Sequence, residues 1–411
     1  MTHFLNNDNI ANYLTLRFDP TVNNLFDPLK RENFTENIIE NIDGKITDIV
    51  KRDLELKLLN KNISNISLAL SGGIDSRFTL VMIRKLFPDL KIDSICVGFG
   101  DDDDEITRAK DIAETYDCDF HELIVDNVLE DLPKLISIAE EPRWNLYQYY
   151  ALEESKKYSN ILFSGDGGDE TFAGYIFRYK KYLQSLGNVE NQTWLEKSKI
   201  YLSCHERDWV PTQDQLFNKK LEFSWGRIYE NFKPYFDNDL HPINQVLLAD
   251  FNGKLLHDWI PSNHKFGMYL EININSLFLN PQLIALSTKI PWNLKYDYKR
   301  DIGKLPLISI LNKNSGLDKF EGTKKGFSLN LLNMWKNYGR DIILTYLNSD
   351  SESVKENIVN LTWIQDSIKL VDDEINKDLR IRYISKLLSV LSFEVWYRIF
   401  VTRTLNANTK L

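Results

Sequence analysis

Short apolar runs alternating with amphipathic stretches over residues 61–205 predict an α/β protein, a parallel sheet covered by helices on both faces. Two further observations frame that expectation. The alternation stops near residue 205, beyond which Leu, Ile, Trp and Tyr recur at helical spacing, so 206–411 reads as a mostly helical region. Ahead of it, residues 1–60 read as a connector followed by a helix.

Taken in order, the stretch 34–59 sets Ile38, Ile39, Ile42, Ile46, Ile49, Val50, Leu54 and Leu58 at helical spacing against a polar face. Residues 66–70 (ISLAL), 92–97 (IDSICV), 120–125 (FHELIV) and 160–163 (NILF) are candidate buried strands. Helical patterns fall near 78–86, 105–116, 128–139 and 147–157, and the closing stretch 383–400 reads as a last helix. In open sheets of this kind, ligands bind beyond the carboxyl ends of the strands. The acidic run 101–105 (DDDDE) reads as a solvated loop with helix-capping carboxylates. No internal repeat or low-complexity tract interrupts the chain.

At 411 residues, with 43% hydrophobic and 27% charged side chains, the chain has the composition of a soluble globular protein and apolar mass enough for a core without disulfide or metal staples. A net charge of −9 argues against a non-specific nucleic-acid binder, which needs a basic surface. Cys96, Cys118 and Cys204 are odd in number and widely spaced, which gives neither a disulfide framework nor a zinc pattern and suggests a reduced compartment. The start lacks a signal-peptide layout, and no uncharged apolar run approaches 18 residues. A soluble, cytoplasmic protein without a membrane partner is expected.

The chemistry concentrates in two glycine loops. Residues 68–77 (LALSGGIDSR) join the first strand to a helix. Gly72 and Gly73 let the backbone bend and approach an anion, Ser71 and Ser76 add hydroxyls, and the helix start adds free N–H groups. The loop reads as a phosphate cradle, though not a Walker A loop, because that motif's lysine is missing. Asp75 inside an anion site calls for an accompanying cation, and Mg²⁺ held by carboxylate and phosphate oxygens meets the need. The second loop, 164–175 (SGDGGDETFAGY), follows the fourth strand and carries Asp166, Asp169 and Glu170. These could complete a Mg²⁺ shell with Asp75 or accept a proton. Plain glycine turns with helix-capping acids would account for the residues singly; the whole strings in a strand–loop–helix setting point to a nucleotide site.

The first string resembles the SGGxDS loop of the PP-loop ATP pyrophosphatase (adenine nucleotide alpha hydrolase-like) superfamily, whose members split ATP between the α and β phosphates. The second resembles the SG[ED]GxDExFxGY motif of asparagine synthetases. Further pieces fall in that family's order: 94–99 (SICVGF), Asp104 and Glu105 with Ala109 and Ala113, the Glu141-Pro142 turn, Lys304, 324–327 (KKGF) with Trp335, and Trp396. The resemblance runs from about residue 10 to residue 400. It implies a PP-loop sheet with a helical C-terminal region. The implied activity is ATP- and Mg²⁺-dependent: a carboxylate is adenylated with release of pyrophosphate, then an amine displaces AMP. Aspartate and ammonia are the default pair.

Carried over by motif, backbone groups of Leu70, Val97 and Gly165 would hold adenosine, with Ser164 and Lys304 in the nucleotide-binding set. Ser71, Gly72, Gly73 and Ser76 would cradle pyrophosphate, and Asp75 and Asp169 would bind Mg²⁺. Lys324 would meet phosphate charge in the transition state, and Asp166 would assist amine deprotonation.

Two departures from the family pattern stand out. Glutamine-hydrolysing members begin with a catalytic Cys at position 2 and a glutaminase domain, whereas Thr2 stands here and residues 1–60 precede the ATP domain. Free ammonia, ammonia from a separate glutaminase, or another amine is therefore expected. Second, the family's D-R-x-S-M…E-x-R-x-P-F-L-D stretch is altered: His264, Asn273, Asn275, Leu277 and Asn280 replace Asp, Glu, Arg, Pro and Asp. Either a structural ion-pair network has been replaced as a set, or the acceptor site has changed and another carboxylate is used. A non-catalytic family member serving as a binding subunit is a further reading, opposed by intact Asp75, Asp169 and Lys324; a tRNA-thiolating enzyme lacks the cysteines and the basic surface.

Overall fold

A computed structural model describes residues 6–22, 24–59, 63–100, 104–187, 192–205, 209–314, 329–374 and 376–411. The sheet has five strands: β1 (Asn65–Ala69), β2 (Lys91–Gly98), β3 (Asp119–Ile124), β4 (Ile161–Ser164) and β5 (Asn273–Ser276). All pairs are parallel, in the order β3-β2-β1-β4-β5. Side chains of the central strands alternate between two cores: Ile66, Leu68, Ile92, Cys96 and Phe163 enter one, and Ile95, Val97 and Leu162 the other. A parallel sheet buried on both faces gives the continuous apolar runs seen in the sequence.

Helices α1 (Asn7–Leu16), α2 (Ile42–Lys57), α3 (Ile74–Leu86), α4 (Asp104–Thr115), α5 (Leu132–Ala139), α6 (Gln148–Ser155), α7 (Gly168–Phe172) and α8 (Ile176–Leu186) accompany the strands. α2 begins later than the spacing suggests. Asn41, in the left-handed region at φ 51°, accepts from the Gly44 N–H at 3.2 Å and starts the helix there, leaving Ile38 exposed. Ile46, Val50, Leu54 and Leu58 form its buried stripe.

β5 is the main departure from expectation, because it comes from the region read as helical. Its residues, NINS, form an edge strand with little apolar content, so no buried-strand signal marks them. Asn273 to Ser276 pair in register with Ile161 to Ser164, and the sheet thus draws on chain beyond residue 205.

The helical region packs on α1 and α5 through Lys377–Phe400, whose Ile384, Leu387, Leu388, Leu391, Phe393 and Val395 are buried. Its polar residues work as ties. Buried Lys386 donates to the carbonyls of Leu14 (2.7 Å) and Thr15 (3.0 Å), placing a cation at the C-terminus of α1. Trp396 Nε1 donates to the Glu140 carbonyl at 3.1 Å and Ser392 Oγ to the Pro142 carbonyl at 3.1 Å, so the last helix pins the turn after α5. Cys96, Cys118 and Cys204 form no disulfide among the described residues. No helix among the described residues is long and apolar enough to cross a membrane. Lys386→Met leaves two buried carbonyls without their donor; we expect a loss of about 2 kcal/mol in urea unfolding, and an unchanged midpoint would show that the tie contributes nothing.

Candidate active site

The strand order reverses between β1 and β4, the place where open α/β sheets leave a crevice for ligands. Both glycine loops leave the carboxyl ends of these two strands. After β1 the chain turns through 70–73 into α3; after β4 it turns through 165–167 into α7. The loops touch: a side chain at Gly165 would put its Cβ 2.7 Å from Asp75 Cβ and 3.0 Å from the Ser76 backbone nitrogen. A cleft of about 1580 Å³ opens here, lined by Leu70, Ser71, Gly73, Asp75, Ser76, Val97, Ser164, Gly165, Asp166, Asp169 and Lys304 among others. Eleven of the thirteen residues singled out from sequence therefore share one cavity. Gly72 does not line the cavity, and Lys324 falls outside the described residues.

Lys304 links the two loops. Its ammonium pairs with Asp169 Oδ1 at 2.5 Å and with Asp75 Oδ2, and its side chain is almost wholly buried. Burial works against its charge, but Asp169 and Asp75 outweigh that and hold its pKa above the ordinary lysine range. The backbone is shaped to deliver it: Lys304 sits at φ 56° and its N–H donates to the Phe172 carbonyl, at the end of α7, at 2.9 Å. Sequence reasoning placed Lys304 with the nucleotide; here it bridges the two carboxylates assigned to the metal.

Asp166 occupies a different environment. It accepts from Ser164 Oγ (2.7 Å), Trp259 Nε1 (2.6 Å) and Asn263 Nδ2 (2.9 Å), while Ser276 Oγ donates to its carbonyl at 2.6 Å. Burial raises its pKa above the usual carboxylate range, and the three donors offset part of that rise. Ser164 is thus engaged by Asp166. Trp259, Asn263 and Ser276 were missed by sequence reasoning, because all lie in the region read as helical packing. Next in the loop, Glu170 accepts the Tyr175 hydroxyl at 2.6 Å, and burial beside Asp169 raises its pKa as well.

The first loop is held by local contacts. Neither Gly72 nor Gly73 takes a positive φ; a Cβ at 72 would lie 2.7 Å from Arg108 Nε and force that side chain to shift. The Ser71 and Ser76 hydroxyls lie 3.0 Å apart, and Ser76 Oγ donates to the Ser71 carbonyl while accepting its N–H, which ties the loop to itself. Leu70 spends its N–H on the Ile95 carbonyl.

The donor set suits Mg²⁺. Asp75 and Asp169 bring two hard carboxylate oxygens to one cationic point, and no cluster of three or more His, Cys, Asp or Glu among the described residues forms an all-protein cage. Mg²⁺ is held in this way, by one or two carboxylates with phosphate oxygens and water completing the shell.

The altered segment lies off the cleft. His264 and Asn273 are exposed, Asn275 donates to the Asn273 carbonyl along the edge strand, Leu277 is buried in the core, and Asn280 caps the helix Pro281–Ser287. None of the five lines the cavity.

The sequence profile of the asparagine synthase family matches residues 63–398, from just before β1 to the last helix. The chain belongs to the asparagine synthase family. Both glycine loops, Lys304 and 324–327 fall inside the matched span. Among curated relatives, the chain is 24% identical over 259 residues to glutamine-hydrolyzing asparagine synthetase 1 of Bacillus subtilis (strain 168), covering 55% of this chain and 40% of that protein. It is 31% identical over 121 residues to a Methanocaldococcus jannaschii protein named "Putative asparagine synthetase 2 (glutamine-hydrolyzing)", covering 28% and 23%. The chain thus spans well under half the length of either relative.

Removing Lys304 takes away the buried cation that links Asp75 to Asp169. Lys304→Met should cost about 3 kcal/mol in urea unfolding, and added Mg²⁺ should return part of that loss if the two carboxylates take the metal. An unaltered midpoint would remove the lysine from its linking role.

Proposed function

We propose that this chain is an ATP-dependent carbon–nitrogen ligase. It activates a small carboxylic acid as its adenylate, releases pyrophosphate, and passes the acyl group to an amine to give an amide and AMP. Aspartate and ammonia are the first pair, with asparagine as product; the ammonia is free or delivered by a separate glutaminase, and the reaction runs in the cytoplasm. One observation carries this reading: the SGGIDS and SGDGGDE loops meet at the β1/β4 switch point, with Asp75 and Asp169 on a single cation.

In the first step a carboxylate oxygen attacks the α-phosphorus, and the bond to the β-phosphate breaks. The start of α3 and the 70–73 turn receive the departing phosphates. Mg²⁺ at Asp75 and Asp169 would offset the negative charge gathered there. Lys304, and Lys324 from the 324–327 motif, add positive charge where the pyrophosphate leaves. In the second step the amine nitrogen adds to the acyl carbon, the bond to AMP breaks, and a proton leaves the nitrogen. Asp166 takes that proton: it lines the cleft, is oriented by three donors, and burial raises its basicity.

Two measurements test this. Incubation with ATP, Mg²⁺, ammonium and aspartate, followed by mass spectrometry, should yield asparagine, AMP and pyrophosphate in equal amounts. AMP and pyrophosphate without asparagine would assign the engine to another acid or amine, and no AMP with any acid would refute the ligase reading. In the second, Asp166→Asn should cut amide formation by about 10²- to 10⁴-fold while sparing ATP–pyrophosphate exchange, which does not need the base. Because the base acts only when ionised and its pKa is raised, wild-type kcat/KM for amide formation should fall as pH drops through that raised value, and the variant should lose this limb. Equal loss of exchange would move Asp166 out of the amine step.

A further inference from the structure

Behind Asp166 runs a continuous helix, Pro242–Asp250, Phe251–Trp259 and Ile260–Leu270, whose nine-residue middle segment is π-helical. Pro261, which has no N–H to give the preceding turn, follows this segment directly. By the ordinary helical period, Lys254 and Trp259 would point about 140° apart. The wider turn brings both to the cleft, with Asn263 one turn further on. π-helical segments of this kind are frequently found at functional sites. Here the helix delivers two donors to one carboxylate, for Trp259 and Asn263 both bond to Asp166.

These bonds fall unequally on the two carboxylate oxygens. Oδ2 accepts from Ser164 Oγ at 2.7 Å and from Asn263 Nδ2 at 2.9 Å, whereas Oδ1 accepts from Trp259 Nε1 at 2.6 Å. An ionised carboxyl group offers two lone pairs on each oxygen. Both on Oδ2 are therefore engaged, and one on Oδ1 is open among the described residues. A proton added to Oδ2 would have to displace Ser164 or Asn263. One added to Oδ1 leaves all three donors in place. The indole N–H donates and cannot accept, so Trp259 fixes its side of Oδ1 and leaves the other side to the cleft. The groups that meet Asp166 from β4, β5 and the helix are Ser164, Ser276, Trp259 and Asn263, and none of them carries a charge. Burial raises the pKa of Asp166, and the three side-chain donors pull it back.

We propose that Trp259 and Asn263 are the positioning residues of the amine step: they hold Asp166 so that the open lone pair of Oδ1 receives the amine N–H and then its proton. The inference rests on the ligase reading above and goes beyond it, by naming the receiving atom and the side chains that select it. As the nitrogen bonds to the acyl carbon, the bond to AMP breaks and AMP keeps the electron pair. One N–H proton passes to Oδ1, and none of the three donors has to move. The glycine-loop motifs do not contain these two side chains; both stand far downstream, on the π-helical segment and the turn after it.

The test uses the full chain and two independent readouts. Trp259→Phe keeps an aromatic ring and removes the N–H. A donor to the carboxylate favours its ionised form, so losing this one should move the acid limb of kcat/KM for amide formation to higher pH, by about one to two pH units. Asn263→Leu should move the limb the same way. It should also lower amide formation relative to ATP–pyrophosphate exchange on the plateau above the limb, because the proton gains a second place on Oδ2. A side chain that only supported the fold would lower activity at every pH and leave the limb where it was. The second readout needs no turnover: tryptophan emission of the wild type, less that of Trp259→Phe, should change in one step at the pH of the wild-type limb, and Asp166→Asn should abolish the step. An unmoved limb in Trp259→Phe, or an emission difference without a step, would each overturn the inference while leaving the ligase reading intact. Exchange that fails with every acid, while the emission step is present and lost in Asp166→Asn, would instead overturn the ligase reading and leave the hold on Asp166 standing.

Discussion

The ammonium of Lys304 between Asp75 and Asp169 is the contact on which the arrangement of this molecule turns. Two loops that leave adjacent strands each carry a carboxylate toward the same point, and like charges so placed repel unless a cation lies between them. The lysine reaches that point from sequence far downstream, at a left-handed residue whose N–H is fixed to the end of α7. One side chain thus closes the β1 loop on the β4 loop and ties both to the helix Leu305–Asn314 that follows it. Glycines at 165 and 168 are consequences of the same closeness, since a Cβ at either would run into Asp75.

The other side of the cleft depends on a buried network of the opposite kind. Asp258 gathers Arg143, Arg17 and Asn145, and so holds the π-helical segment against α1 and the turn after α5. That turn is itself held by Trp396 and Ser392 of the last helix, which also anchors α1 through Lys386. Buried ion pairs of this sort add little net stability, but losing one partner strands the other. Their effect here is positional: Trp259 and Asn263 meet Asp166 because the helix that carries them is fixed at several points along its length.

Much of this was legible in the sequence because it follows from local patterns. β1, β2 and β4 are largely buried apolar runs, whereas β3, also expected as a buried strand, lies at the sheet edge with its residues half-buried or exposed; both glycine loops read correctly as strand–loop–helix turns. What was not legible depends on long-range geometry. β5 is four residues of edge strand with two asparagines, recognisable only once β4 is in place beside it. Lys304 could be aligned by its motif, but its bridging of Asp75 and Asp169 is a tertiary fact. Lys254 and Trp259 share a face only because the helix widens to a π turn, and a period of 3.6 residues separates them.

The altered 264–280 segment was read either as a structural ion-pair set replaced as a group or as a changed acceptor site, and the fold shows what each replaced residue does locally. The replaced positions serve the edge strand, a helix cap and the core, each with a local contact that suits its neutral side chain: Asn280 caps a helix, Asn275 bonds along β5, and Leu277 fills the core. None of the five side chains lines the cleft, although their neighbours Asn263 and Ile274 do. The run of neutral residues at β5 thus bears on how the sheet's edge is held.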